Sequence, residues 1–149
     1  MKENPIMPQP GFKKIQRSDD CLYGPRKLLL CGFTIEAQSK FESLLGMLGM
    51  SGLPLVWLSE AESGEKIGDL VESPHGAGAG QSSSLPRAII VSGITQNELH
   101  RLMTGCRKAG MKSALWAALT PTSAGWRLQH LLAELATERQ AMARKTGKK

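Results

Sequence analysis

The chain is poor in the residues that carry out chemistry. Its 149 residues hold three histidines and three cysteines, and no histidine stands at metal-ligand spacing from a cysteine or an aspartate, so no metal site is expected. Cys21, Cys31 and Cys106 form no CxxC pair and leave one cysteine over. That speaks against a disulfide framework and for a reducing, cytoplasmic setting. No serine lies in a nucleophile elbow. No apolar run approaches the length of a membrane span, and Met1-Lys-Glu-Asn-Pro-Ile-Met-Pro8 lacks the apolar core of a signal peptide. Aromatic residues make up 5% of the chain, and none is interleaved with the basic residues as a nucleic-acid stacking surface would require. The composition leads to a soluble chain without cofactor or metal, binding rather than catalysing.

What is present is a pattern, and residues 87–138 carry it. Arg87-Ala-Ile-Ile-Val-Ser92 is a short, β-branched apolar run, as in a strand buried on both faces. Gly93-Ile94 turns the chain, and Thr95-Gln-Asn-Glu98 has the form of a capping box, which starts a helix. Leu99, Leu102, Met103, Cys106 and Ala109 fall on one helical stripe, and Gly110 ends it. Ser113–Leu119 is a second apolar run. Thr120-Pro-Thr-Ser123 breaks it before a last helix bearing Leu128, Leu131, Leu132 and Leu135. The unit reads βαβα.

Residues 27–72 repeat it in weaker form. Gly32 and Gly93, Thr34 and Thr95, Gly49 and Gly110, Met50 and Met111, Gly64 and Gly125, and Leu70 and Leu131 all stand at one constant offset along the chain. Trp57 and Trp116 fall two short of that offset, which implies two extra residues near Ser51–Pro54 in the first copy. The chain therefore divides into a flexible arm (1–25), a first repeat (26–72), a Gly/Ser-rich linker (73–86), a second repeat (87–140) and a basic tail (141–149), the repeats forming one globular domain. The linker's Gly76, Gly78 and Gly80 do not make a phosphate loop, because no strand directly precedes and no helix directly follows them.

Two such units predict an α/β fold with one four-stranded, mainly parallel sheet of order 2-1-3-4 and helices on both faces. With all strands parallel, Gly32-Phe-Thr34 and Gly93-Ile-Thr95 would open into one crevice, with two helix starts offering amides to an anion. Thr120, Thr122, Ser123 and Trp126 would lie at the same carboxyl edge, Thr122 or Ser123 capping the last helix. Cys31, at the end of the first strand, reads as a small buried residue rather than a nucleophile.

Charge is distributed unevenly. The net +6 is concentrated after residue 138, in Arg139, Arg144, Lys145, Lys148 and Lys149, whereas residues 27–72 are acidic. A basic end of this kind is ordinarily a solvated tail. The acidic and basic halves also suit self-association as a homodimer.

Ala117-Ala-Leu-Thr-Pro-Thr-Ser-Ala-Gly-Trp126 and Glu134-Leu-Ala-Thr-Glu138 resemble a bacterial domain-of-unknown-function family, 3783, whose members carry Thr-Pro-Thr-Asn-x-x-Trp before an amphipathic helix. The likeness spans about residues 87–138 and departs at Ser123, where the family has Asn. It implies the fold and no activity. The expected function is a binding module for a small anionic ligand or a protein partner, at Gly32, Thr34, Gly93, Thr95, Thr120, Thr122, Ser123 and Trp126. The alternatives are nucleic-acid binding through the basic second half and tail, or a small enzyme with its site in the same crevice.

Overall fold

A strand and a helix alternate four times in the computed structural model, which describes residues 20–111 and 114–147, with side chains as far as residue 141. The elements are β1 (Lys27–Cys31), α1 (Ile35–Met47), β2 (Leu55–Leu58), α2 (Ile67–Leu70), β3 (Ala88–Ser92), α3 (Gln96–Lys108), β4 (Leu115–Ala118) and α4 (Leu128–Gly147). Single 3-10 turns, Glu60–Glu62 and Ser123–Gly125, precede α2 and α4. Of the arm expected over residues 1–25, residues 1–19 lie outside the described residues, as do Lys148 and Lys149 of the tail, while Cys21 bridges to Thr95 and Tyr23 O accepts from Gly93 N–H (3.1 Å).

The sheet has the expected order, β2-β1-β3-β4. β1 and β2 are parallel, and so are β3 and β4. The central pair, β1 and β3, is antiparallel. This corrects the expectation of four parallel strands and has a direct cause in the segment between β2 and β3. α2 takes the chain back toward the start of β2, where Leu55 N–H donates to His75 Nδ1 (3.0 Å) and Gly76 N–H donates to Leu55 O (2.7 Å). The chain then runs along the outer edge of β2, with Trp57 N–H donating to Ala77 O (2.8 Å). Passing Phe33, whose carbonyl accepts from Ser83 N–H (3.2 Å), it enters β3 at the end where β1 stops. The stretch read as a slack linker is thus a docked edge segment, and it reverses the second half relative to the first.

Contacts across the middle of the molecule are reciprocal and keep the offset that separates Gly32 from Gly93. Leu29 pairs with Ile90 at the centre of the β1–β3 ladder, and Lys66 bridges to Arg127. Ile67 N–H donates to Trp126 O, and Leu128 N–H donates to Glu65 O, both at 2.9 Å. Leu22 N–H donates to Ile94 O (2.7 Å), as Ser83 does to Phe33 O. The strand register holds the same offset, since Leu55 faces Leu28 and Trp116 faces Ile89. Trp57 and Trp116 therefore do not correspond, and the two-residue insertion expected near Ser51–Pro54 is not needed.

Every residue of the two central strands has a side chain to bury, and alternation sends them to two cores. Leu28, Leu30, Ile89 and Val91 pack with Phe41, Leu45, Leu102 and Cys106 under α1 and α3. Leu29, Cys31, Ala88 and Ile90 pack with Ile67, Leu70, Leu128 and Leu132 under α2 and α4. Phe33, Phe41 and Trp57 meet edge to face, with centroids 5.4–6.2 Å apart. α1 and α3 approach closely at Gly105, where a larger side chain would press on Leu44 and Leu48. The last helix continues through Gly147, so the basic tail expected over 141–149 is helical that far. Arg139 Nη2 donates to Ala114 O (3.2 Å) and ties this helix to the start of β4.

Candidate functional site

The antiparallel centre separates the two turns that the all-parallel reading brings together. Cys31 pairs with Ala88 and Lys27 with Ser92, so Gly32 and Thr34 lie at one end of the sheet and Gly93 and Thr95 at the other. The shared crevice expected between them does not form. Both turns are built alike: each glycine has a positive φ, 78° at Gly32 and 67° at Gly93. A side chain at either would collide with the backbone packed over it, that of Leu85 and Arg87 in one case and Gly24–Arg26 in the other.

At the Gly93 end the polar groups satisfy one another. Thr95 Oγ1 accepts from Glu98 N–H (3.0 Å), and Glu98 Oε1 accepts from Thr95 N–H (2.9 Å), completing the expected capping box. Arg26 closes on the same carboxylate with both terminal nitrogens, at 2.7 and 2.6 Å. The Arg26 hydrogen bonds, helped by the Thr95 amide, hold the Glu98 carboxyl well below its usual range, at about 2, against the opposing effect of burial. The same pairing raises the pKa of Arg26. Arg101 reaches across to the Leu48 carbonyl at the end of α1.

The Gly32 end has the same frame with fewer of its contacts made. Thr34 caps α1, its hydroxyl accepting from Ala37 N–H (3.2 Å). Arg87 Nε donates to Gly32 O (3.0 Å), and the guanidinium lies over the Phe33 ring, 4.4 Å from its centroid. Among the described residues Arg87 forms no ion pair. A groove of about 590 Å³ opens here, lined by Thr34, Glu36, Ala37, Lys40, Leu44, Met47, Arg87 and Met111 among others. Its walls are the length of α1 and the residues that end and follow α3. Apolar groups therefore share the groove with two cations, the Glu36 carboxylate and the positive end of a helix dipole. Sequence reasoning misses Arg87, which it takes only as the start of a strand.

In the Thr120–Trp126 turn Ser123 is buried and its hydroxyl is bonded to Thr120, while Thr120 and Thr122 are exposed. Thr120 N–H donates to Ser123 Oγ (3.1 Å), and Ser123 N–H donates to Thr120 Oγ1 (3.0 Å). Thr120 and Ser123 thus close the turn on each other. Thr122 makes no side-chain cap bond, and the buried Ser123 serves the turn and does not cap α4. Trp126 is half-buried and meets His130 edge to face, centroids 4.5 Å apart. Residues 87–142 match the model of the family described as Domain of unknown function (DUF3783). The matched stretch thus runs from just before β3 into the last third of α4, and residues before 87 lie outside it. No curated protein and no solved structure matches the chain.

The described residues hold no cluster of three metal-ligating side chains and no helix long and apolar enough to cross a membrane. Burial pushes the Cys31 thiol up to about 12, with the Glu62 carboxylate adding to it, and pushes Cys106 up to about 11 despite Arg87. Neither thiol is activated as a nucleophile. His75 spends its Nδ1 on the β2 edge. Of the eight residues expected to bind, only Thr34 lines the groove at the Gly32 end.

Proposed function

We propose that the protein is a cytoplasmic, non-catalytic binding module made of two copies of one βαβα unit, which holds a small anionic ligand in the groove at the Gly32 end. The observation carrying this reading is the company Arg87 keeps. A guanidinium with no carboxylate partner among the described residues shares a mostly apolar groove with Lys40 and with the amino terminus of a helix of 13 residues. Two cations against the single Glu36 carboxylate, together with the dipole and the shape, favour an anion there. The reciprocal contacts at a constant offset support the two-copy reading, with the DUF3783 region as the second copy.

Thermal unfolding of the full chain, at fixed ionic strength, against a panel of phosphates, sulfate and carboxylates tests the proposal. A ligand that binds only the folded state raises the melting temperature in proportion to RT ln(1 + [L]/Kd). The reading requires at least one anion to raise it and Arg87→Gln to remove the rise. A flat response across the panel, or a rise that survives Arg87→Gln, refutes it.

A further inference from the structure

We infer that the anion is a carboxylate carried on a small apolar group, seated against Arg87 and Thr34 as the Glu98 carboxylate is seated against Arg26 and Thr95. This deepens the binding reading above and rests on it. Arg26 corresponds to Arg87 and Thr34 to Thr95 at the repeat offset, so the two ends offer the same donors in the same frame. At the Gly93 end those donors converge on one carboxylate: Arg26 gives a hydrogen bond to each oxygen (2.7 and 2.6 Å), and the Thr95 amide gives a third to Oε1 (2.9 Å). The molecule therefore displays, in its own structure, the ligand that this donor set accepts.

At the Gly32 end the residue corresponding to Glu98 is Ala37, whose side chain stops at a methyl group. Among the described residues Arg87 has no carboxylate bonded to it, and it rests on Phe33 and the Gly32 carbonyl. Two oxygens in one plane match the fork of a guanidinium, one N–H to each. Removing the glutamate also removes its methylene groups, and the groove that Arg87 lines is mostly apolar, with Ala37, Leu44, Met47 and Met111 on its walls beside the polar Glu36, Ser39 and Ser43. At the other end Arg101 bridges to the Leu48 carbonyl across the corresponding place. Here the matching residues are Lys40 and Ala109, both of which line the open groove. Space for an apolar substituent adjoins the carboxylate position.

The test uses the full chain with hexanoate, acetate, hexanol and inorganic phosphate at constant ionic strength, read by calorimetry and by melting temperature. Hexanoate should bind more tightly than acetate, while hexanol and phosphate leave the melting temperature unmoved. Arg87→Gln should weaken hexanoate by about tenfold or more, and Arg87→Lys, which keeps the charge without the fork, should restore only part. Ala37→Glu places a carboxylate where Glu98 stands at the other end. It should raise the melting temperature of the free chain and abolish the response to hexanoate. Should Ala37→Glu not fold, the two Arg87 variants carry the test. Phosphate binding without hexanoate binding overturns this inference and leaves the anion module standing. No response to any anion overturns both, and undiminished hexanoate binding by Ala37→Glu or Arg87→Gln overturns the placement beside Arg87.

Discussion

Glu98→Gln isolates the ion pair at the Gly93 end, because glutamine keeps the shape and can still bond the Thr95 amide as the last member of a capping box. What it loses is the charge facing Arg26, whose two hydrogen bonds are 2.7 and 2.6 Å long. The Arg26 side chain is 47% exposed and that of Glu98 18%, so solvent screening reduces the gain to about 1 kcal/mol at pH 7. For a domain of this size that corresponds to a fall of about 3 °C in melting temperature. The pH dependence follows from the depressed carboxyl. Glu98 titrates at about 2 in the folded chain against an ordinary 4.5. Its contribution is complete above 4.5 and is lost as pH falls through about 2. By pH 3 roughly two-fifths should remain. Urea unfolding of wild type and Glu98→Gln at pH 7, 5 and 3 measures this directly. Equal stabilities at pH 7, or a difference that does not shrink between pH 5 and pH 3, would refute the assignment of the pair as stabilising.

Ser92 lies fully buried with its hydroxyl unpartnered among the described residues, so Ser92→Ala should leave stability unchanged or raise it by up to about 1 kcal/mol; a clear loss in the urea midpoint would show an unseen bond. Gly78 has a positive φ, and a methyl group there would strike the Trp57 carbonyl. Gly78→Ala should cost about 2 kcal/mol and speed amide exchange at Trp57, whereas unchanged exchange would mean the segment is not pinned there. Of the three cysteines only Cys21 is exposed. A thiol reagent at pH 8 should modify one group per folded chain, with Cys31 and Cys106 reacting only on unfolding, and rapid modification of two would contradict their burial.

How much of this can be read from residues alone depends on range. Helix starts and stops are written locally, so Thr34, Thr95, Glu98 and Gly110 are legible without coordinates. Strand order follows from the repeat, because the leading strand of each unit, β1 in one and β3 in the other, lies beside its counterpart. The direction of β3 is hidden, since no short-range signal fixes which end of a sheet a long connection returns to. It is decided by His75, Gly76 and Ala77 bonding to Leu55 and Trp57, groups that read as slack because glycine and serine surround them. The same error creates a crevice between Gly32 and Gly93 and conceals the groove beside Arg87. That groove depends on Ala37 standing where the other half has Glu98, a difference visible in the sequence and meaningful only once the register is known. The family likeness over residues 87–142 is a match of residues along the chain and needs no coordinates.

The docked segment along β2 also sets how large an assembly this sheet can build. Leu55 and Trp57 already spend their outward backbone groups on His75, Gly76 and Ala77, so a strand from another molecule finds no vacancy on that side. Trp116 and Ala118, their counterparts in the second half, have no such cover among the described residues. Growth by strand addition is therefore limited to the β4 margin, where two molecules could join once and then stop. Stripping the glycine-rich cover would leave both margins open, and strand addition would then have no built-in stop short of fibres.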